Sequence, residues 1–252
     1  MKKSLALIGI CIFLISCGSE GEGDIATGDG RPPTGGQNDV CSRPSGVLTD
    51  AGFASSAELT TFMTNNNFTN VEGNTSEVDI VRVIQQYQKV PTGMQNSMRA
   101  AGDEFRLING FGVANDPTFP TPTGATSDGR PFTTVRGAHV ATTNTTYIVA
   151  NRILEFSGNT SLTLHEIGHA ISNGPMGQLS AEADWQQIFN NASANRLLDL
   201  ITATCPGTYC TQNAEEAFAE AFAIYFNCSA SRARFSTAPA VREYFENLEA
   251  AF

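Results

Sequence analysis

Apolar residues follow helical spacing in the early and late segments of the chain, and they alternate with polar residues only between those segments. Serine before the first turn and asparagine or proline after the last turn predict helices over 55–66 and 77–89. The same spacing predicts further helices over 91–101, 181–190, 194–202, 212–227 and 239–251. The pattern therefore begins and ends in helix.

Short segments rich in β-branched and aromatic residues lie in the middle of the chain. They predict strands over 105–108, 111–113, 132–135, 139–143 and 146–150. A hairpin or bend is expected at Asn109-Gly110, and the Pro-, Thr-, Gly- and Asp-rich segment 115–130 is expected to be a surface loop. Helices, then strands, then helices do not alternate as βαβ units do, so the predicted fold class is α+β.

The N-terminal segment has a different pattern. Two lysines precede an apolar run over 5–15, which leads into Ser16-Cys17. The run is too short to span a bilayer stably, and small residues before a cysteine are typical of the cleavage site in bacterial lipoproteins. We predict a lipoprotein signal peptide over 1–16, export, and a membrane anchor through a lipid on Cys17. An ordinary signal peptide with an incidental cysteine is the alternative.

Composition divides the rest of the chain in two. Residues 17–40 contain almost no apolar side chains, which predicts a flexible tether. Residues 41–252 contain regular apolar positions, which predicts one domain, and we expect a monomer. The formal net charge is −10, and an acidic surface without a basic stripe argues against nucleic acid as a partner.

Four cysteines lie in the predicted domain. In an exported protein an even number predicts two disulfides, and four cysteines permit three pairings. We favour Cys205 with Cys210, across a Pro206-Gly207 turn, and Cys41 with Cys228. A zinc site made of these cysteines is the rival hypothesis, which the absence of a Cys-x-x-Cys pair disfavours.

The main chemical motif is His165-Glu166-Ile167-Gly168-His169. On a helix, positions four apart share a face, so both imidazoles would reach one Zn²⁺ while Glu166 points at a zinc-bound water. The preceding segment 159–164 supplies N-cap candidates and then apolar residues for the opposite face. The spacing is therefore that of a zinc protease.

Two histidines leave a catalytic zinc one protein ligand short. The metzincin pattern places glycine three and histidine six residues after the second histidine, but Ser172 and Pro175 stand there, so that class is excluded. The remaining candidates are carboxylates of the predicted helix 212–227: Glu215, Glu216 and Glu220. Glu216 and Glu220 share a face among apolar residues, so we expect one to bind zinc and the other to accept a hydrogen bond from a ligating imidazole.

The sole remaining histidine, His139, is expected at the surface or lining a cleft, although a ligand role stays open. The only tryptophan, Trp185, is expected in the core. We hypothesise that an extended peptide substrate pairs, as an added strand, with the strand region 137–143.

The segments His165–Ile171 and Glu216–Phe222 resemble the catalytic domain of the anthrax lethal factor family, which includes the secreted Pro-Pro endopeptidases. The family has a tyrosine seven residues before its glutamate ligand, as Tyr209 is before Glu216. The resemblance implies a zincin-like fold with a small mixed sheet, Glu216 as the third ligand, Glu220 beside a ligating imidazole and Tyr209 as the oxyanion donor. Lethal factor's targeting domains are absent, so its toxin role and substrate do not carry over.

We therefore expect an endopeptidase with one catalytic Zn²⁺ and Glu166 as general base, acting on exported or surface proteins. One alternative is a catalytically inactive surface-binding lipoprotein, and another is a peptidase restricted to short peptides or to a substrate delivered by a partner. An intact Glu166 and Tyr209 favour the enzyme. Because Cys205 and Cys210 flank Tyr209, we also expect their disulfide to hold the tyrosine loop.

Overall fold

The computed structural model describes residues 12–15, 41, 43–121, 123–126, 129–155, 161–174, 177–205 and 209–252. Cys17, the predicted tether over 17–40 and most of the predicted signal peptide lie outside these ranges. Within them, none of the helices has the length and apolar character needed to cross a membrane.

The fold is α+β, as predicted. The helices of the described residues are α1 (Ser56–Asn65), α2 (Glu77–Tyr87), α3 (Thr92–Ala101), α4 (Leu162–Asn173), α5 (Ala183–Asn190), α6 (Leu197–Thr202), α7 (Ala214–Asn227), α8 (Ser229–Ala233) and α9 (Pro239–Ala250). The strands are β1 (Ile12–Ile15), β2 (Phe68–Asn70), β3 (Glu104–Ile108), β4 (Gly137–Val140) and β5 (Thr145–Val149).

Local signals place the early helices where the pattern predicts them. The Ser55 side chain caps α1 by accepting a hydrogen bond from the Glu58 N–H, and Ser76 caps α2 in the same way through Asp79. Helix α3 ends at Gly102, whose φ of 80° is the left-handed conformation that favours glycine at a helix end.

The sheet is mixed, with strand order β1-β4-β5-β3-β2. Strands β2, β3 and β5 are parallel, whereas β4 runs antiparallel to β5. Strand β1, within the segment predicted as a signal peptide, pairs antiparallel with the outer edge of β4, from Ile12 opposite Val140 to Ile15 opposite Gly137. A backbone segment thus occupies the edge that we expected to bind extended peptide.

Two predicted strands are wrong. Residues 111–113 lead into a 3₁₀ turn at Val113–Asn115, and residues 132–134 form turns. Of the hairpin or bend expected at Asn109-Gly110, the bend is present at Gly110, whereas β3 forms no hairpin because it pairs in parallel with its two neighbours. These segments contribute three buried side chains, Val113, Phe132 and Val135, which pack against the sheet together with Phe119 of the loop between them. Apolar residues that anchor a loop give the same short pattern as a strand.

Helices and loop cover opposite faces of the sheet. Phe105 and Leu107 of β3 and Ile148 of β5 pack into the core formed with α2, α4 and α7. The other face, with Tyr147 and Val149 of β5, packs against the loop residues that precede β4. Helix α4 therefore lies between the sheet and α7.

The core confirms the prediction for Trp185, which is fully buried and donates a hydrogen bond from Nε1 to the Ala214 carbonyl at 2.7 Å. Both favoured disulfides are present. Cys41 is joined to Cys228 across 187 residues of sequence, and Cys205 is joined to Cys210 across 5.

Candidate metal centre

Helix α4 carries both histidines of the motif. The Ser161 hydroxyl caps it by accepting a hydrogen bond from the Leu164 N–H at 3.3 Å. Every residue from Leu162 to Ser172 is buried, so the histidines and Glu166 lie inside the protein. Gly168 faces α7, where a Cβ at this position would lie only 2.8 Å from the Ala219 Cα. Glycine therefore allows the close approach that brings the two helices' polar groups together.

Helix α7 carries the carboxylates. At its start, Asn213 Oδ1 accepts hydrogen bonds from the N–H groups of Glu215 at 3.0 Å and Glu216 at 2.9 Å. This cap places Glu216 in the first turn, where the partial positive charge of the helix N-terminus favours a carboxylate. Glu220 follows one turn later on the same face.

Three buried ligand atoms converge between α4 and α7. Nε2 of His165 lies 3.1 Å from Nε2 of His169, and Glu216 Oε2 lies 3.4 Å and 3.5 Å from these two nitrogens. Ligands of a tetrahedral zinc are about 3.3 to 3.5 Å apart, as bond lengths of about 2.0 to 2.2 Å require. The three residues also form the one potential metal-binding group found among the described residues. Two imidazoles and a carboxylate of this spacing fit zinc.

Glu220 contacts the side of the His165 ring that faces away from the three converging ligand atoms. Its Oε2 accepts a hydrogen bond from His165 Nδ1–H at 3.0 Å, and its Oε1 accepts one from the Thr204 hydroxyl at 2.6 Å. A proton on Nδ1 leaves the Nε2 lone pair available to a metal; this tautomer is assigned from the hydrogen bond. The structure thus places Glu220 as an orienting partner, with Glu216 at the centre.

The third candidate carboxylate, Glu215, lies beside the other histidine. Its Oε1 is 3.6 Å from His169 Nδ1, and Asn173 Nδ2 donates a hydrogen bond to the same oxygen at 2.6 Å. Glu215 therefore faces the ring nitrogen that points away from the centre. Asn173 and Thr204, which hold these outer carboxylates, were not found from the sequence, because single polar residues carry no periodic signal.

The charges of the centre favour a cation. Burial alone would lower the pKa of His169, but the Glu216 and Glu215 carboxylates raise it to about 10. Burial alone would likewise raise the pKa of Glu216, yet the two imidazoles lower it to about 2. The neighbouring carboxylates thus favour the protonated, positively charged form of the imidazole. A divalent cation bound between these groups would supply positive charge in place of that proton.

Glu166 lies beside the three ligand residues. It is fully buried, and no described residue donates a hydrogen bond to either of its carboxylate oxygens. Burial raises its pKa to about 7, against the opposing effect of His169 and His165. Gly137 of β4 packs directly on the carboxylate, since a Cβ there would clash with Glu166 Oε1. The group is held close to the centre and close to the outer sheet edge.

Tyr209 approaches the centre from the loop before α7. Its hydroxyl donates a hydrogen bond to Glu216 Oε1 at 2.9 Å. Burial, together with the negative charges of Glu216 and Glu166, raises the pKa of Tyr209, so the phenol stays protonated and can donate. The guanidinium of Arg130 lies over the tyrosine ring, 4.7 Å from its centroid.

His139 is expected at the surface or lining a cleft, and its burial shows that the surface position is wrong. It is 1% exposed, and its Nδ1 lies 3.0 Å from Thr146 Oγ1. Burial lowers the pKa of His139 to about 3, helped by His169. Its place on an inner sheet face explains the burial. His139 does not belong to the group of His165, His169 and Glu216 whose ligand atoms converge.

A cleft of ≈ 730 Å³ opens next to the centre. Its lining runs from Ala141, just after β4, to Asn173 at the end of α4 and Glu215 at the start of α7. The cleft thus connects the end of the outer strand with the outer carboxylate of His169.

Two comparisons with known proteins give matches. The model of the family described as anthrax toxin lethal factor, N- and C-terminal domain, matches residues 58–248. Among solved structures, the Pro-Pro endopeptidase PPEP-2 from Paenibacillus alvei is similar, with a TM-score of 0.57, 19% sequence identity, and coverage of 72% of this chain and 97% of that chain. At this identity the likeness establishes the fold alone. No curated protein matches the chain.

Proposed function

This chain belongs to the anthrax toxin lethal factor family, and we propose that it is a zinc-dependent endopeptidase acting on exported or surface proteins. The carrying observation is the convergence of the His165, His169 and Glu216 ligand atoms beside the buried, unpartnered carboxylate of Glu166. A binding module would have no use for a general base at this position.

In this proposal, His165, His169 and Glu216 hold one Zn²⁺. When bound, zinc lowers the pKa of water and polarises a carbonyl group, as in other zinc hydrolases. Glu220 keeps the His165 imidazole oriented, with its Nε2 turned towards the ion. His165, His169 and Glu216 are each 2% exposed or less, so the surrounding protein limits the access of solvent to them.

Glu166 acts as the general base and then as the general acid. It removes the proton from the attacking water and afterwards delivers a proton to the leaving amine. Its oxygens accept no hydrogen bond from any described residue, so they are available for the transferred proton. A pKa near neutrality suits both steps.

Tyr209 donates a hydrogen bond to the oxyanion that forms on the scissile carbonyl. In this structure the hydroxyl donates its one proton to Glu216 Oε1, so this hydrogen bond would be exchanged for the one to the oxyanion. Such donors typically contribute about 3 to 4 kcal/mol to transition-state stabilisation.

We also propose that the substrate peptide adds to the outer edge of β4. The Val149 N–H bonds the Arg136 carbonyl, so alternation along the antiparallel pair directs the backbone groups of Gly137 and His139 outwards. The antiparallel pairing of β1 with this edge supports the proposal, because it displays the backbone arrangement that an extended peptide would adopt. A His139→Pro variant that turns over peptides normally would count against it.

The location of the enzyme is a further part of the proposal. We propose that Cys17 becomes the lipid-modified first residue after residues 1–16 are removed, which would anchor the exported domain to a membrane. Removal of that leader would also take β1 away from the edge of β4. Mass spectrometry of the N-terminal peptide tests the lipid, and an unmodified Cys17 in membrane-purified protein would contradict it.

The proposed function is tested with an unbiased peptide library and the purified chain. We expect cleavage that a chelator abolishes and zinc restores. The Glu166→Gln variant should retain zinc but lose about 10³-fold or more in turnover, because the attacking water then lacks its base. Glu243→Gln, a change to an exposed glutamate of α9, is the matched control and should be fully active.

The two alternatives give different results in this assay. A surface-binding lipoprotein would bind zinc without cleaving any peptide or any surface protein. A peptidase for short peptides would cleave the library but leave folded surface proteins intact.

A further inference from the structure

Thr204 is connected to His165, one of the candidate metal ligands, by two hydrogen bonds through Glu220. It is buried, and its hydroxyl oxygen is 2.6 Å from Glu220 Oε1. The other oxygen of Glu220 is 3.0 Å from Nδ1 of His165, whose Nε2 belongs to the convergent ligand atoms. A continuous path therefore runs from a threonine hydroxyl, through a carboxylate, to a ligating imidazole.

The proton of the Thr204 hydroxyl belongs to Glu220. A hydroxyl has one proton to donate, and the Ile201 carbonyl oxygen lies at 2.9 Å as a second possible acceptor. That carbonyl already accepts the backbone N–H groups of Thr204 and Cys205, at 3.0 and 2.9 Å. The carboxylate is nearer and negatively charged, so it is the stronger acceptor.

Glu220 depends on both of its hydrogen bonds. The side chain is 1% exposed, so water cannot replace a lost donor. One oxygen accepts a hydrogen bond from Thr204 and the other accepts one from His165. The two hydrogen bonds together fix the orientation of the carboxylate plane. Loss of the hydroxyl would leave one buried oxygen without a donor and would free the carboxylate to rotate away from the imidazole.

The Cys205–Cys210 disulfide connects this path to the tyrosine. Cys205 directly follows Thr204, and Cys210 directly follows Tyr209. Both cysteines are buried. Thr204 hydrogen-bonds Glu220 and Tyr209 hydrogen-bonds Glu216, so the disulfide joins the chain neighbours of two residues that contact carboxylates of α7.

We propose that Thr204 is a positioning residue of the zinc site, which holds Glu220 against His165, and that the Cys205–Cys210 disulfide keeps the Thr204 hydroxyl in place. The inference rests on the zinc site of the proposed function, and it does not require that the chain cleave peptides.

The experiment measures the zinc dissociation constant by competition with a chromophoric chelator. Thr204→Val removes the hydroxyl at nearly constant volume, and Thr204→Ser retains it. We expect Thr204→Val to raise the zinc dissociation constant about tenfold. This is the lower end of the effect of replacing a residue that contacts a metal ligand directly. Thr204→Ser should change the dissociation constant by less than about twofold. Thr202→Val is the matched control, since Thr202 lies on α6, is exposed and donates its hydroxyl proton to the Leu198 carbonyl of the same helix, and it should bind zinc normally.

A double-mutant cycle separates positioning from general loss of structure. If Thr204 acts through Glu220, then Thr204→Val should change the zinc dissociation constant less than about twofold in a Glu220→Ala background. If the effects of Thr204→Val and Glu220→Ala on the zinc dissociation constant are fully additive, the inference is overturned. It is also overturned if Thr204→Val leaves zinc binding unchanged, or if Thr204→Ser binds zinc as weakly as Thr204→Val. Thermal unfolding of the zinc-free variants verifies that each is folded before titration.

The disulfide is tested in the same way. The Cys205→Ala/Cys210→Ala variant should weaken zinc binding, and Thr204→Val should add less to it than to the parent chain. Unchanged zinc binding in the double-cysteine variant would contradict this part. Because the readout is zinc affinity, wild-type protein that binds zinc as expected but cleaves no peptide would refute the proposed function and leave the role of Thr204 standing.

Discussion

Glu166 lies directly against the backbone of Gly137, and the space between them does not admit a side chain. A Cβ at position 137 would meet the Cδ and Cγ atoms of Glu166 at 2.8 Å as well as its Oε1. Glycine at the start of β4 therefore determines how closely the sheet edge approaches Glu166, the proposed general base.

Gly137→Ala should displace the Glu166 carboxylate. We expect kcat to fall about 100-fold, because general-base catalysis requires the base within hydrogen-bond reach of the attacking water. Zinc affinity should change less than about twofold, since the atoms nearest to a Cβ at position 137 all belong to Glu166 and none belongs to a candidate zinc ligand. Steady-state kinetics and chelator competition measure the two effects, and a normal kcat would show that the carboxylate tolerates the shift.

Tyr209→Phe tests the proposed oxyanion donor. We expect kcat to fall about 100-fold or more at saturating zinc, with little change in KM, because the hydrogen bond forms in the transition state. Tyr225→Phe is the control, since its hydroxyl bonds Glu249 away from the centre, and it should retain its activity. Equal kcat in the two variants would remove Tyr209 from the mechanism.

At the scale of elements, the site depends on the contact between α4 and α7. The two helices approach closely at Gly168, where the nearest atoms of α7 belong to the Ala219 backbone and to Phe222 Cβ. Backbone atoms of a buried helix cannot move aside as a flexible side chain can. A larger residue at 168 would separate the histidines from Glu216.

Gly168→Ala should therefore destabilise the protein despite the better helix propensity of alanine. Propensity favours alanine by about 1 kcal/mol, whereas overpacking in a core costs about 1 to 3 kcal/mol. We expect a net loss in the free energy of unfolding by urea, together with weaker zinc binding. A variant more stable than the parent would show that the helices adjust without cost.

Helix and strand predictions differ in their success for a physical reason. The boundaries of α1, α2 and α7 agree with the prediction to within a few residues, because caps and spacing are local features. The strands predicted over 111–113 and 132–135 are absent, because strand formation needs a partner that the local sequence does not specify.

At the scale of the whole molecule, the two disulfides differ in the length of chain that they close and in their position relative to the metal centre. Cys41–Cys228 joins the start of the described domain to the end of α7 and closes a sequence separation of 187 residues. Cys205–Cys210 closes a separation of 5 residues next to the metal centre. Loop-closure entropy predicts stabilisation of about 5 kcal/mol for the first and about 2 kcal/mol for the second.

Removing each pair should separate stability from zinc binding. The Cys41→Ala/Cys228→Ala variant should lose more free energy of unfolding but bind zinc normally while folded. The Cys205→Ala/Cys210→Ala variant should lose less stability and more zinc affinity. Urea unfolding and chelator competition on both variants provide the measurement, and the reverse ranking would contradict the assignment.

The sequence by itself determined the α+β class and the histidine pair of the zinc motif, because helical periodicity and an i, i+4 spacing are properties of a single helix. It also narrowed the third ligand to Glu215, Glu216 and Glu220. The resemblance to the family then favoured Glu216, with Tyr209 seven residues before it.

Only the tertiary structure decided which carboxylate meets which imidazole. That choice depends on how α7 is rotated against α4, a relation between two elements that no spacing within either one contains. The same holds for Thr204, which hydrogen-bonds Glu220 from the turn after α6, and for His139 of β4, which the fold buries. Contacts between side chains of different elements produce no periodic pattern in the sequence. The partners of these side chains are therefore known only once the elements are packed together.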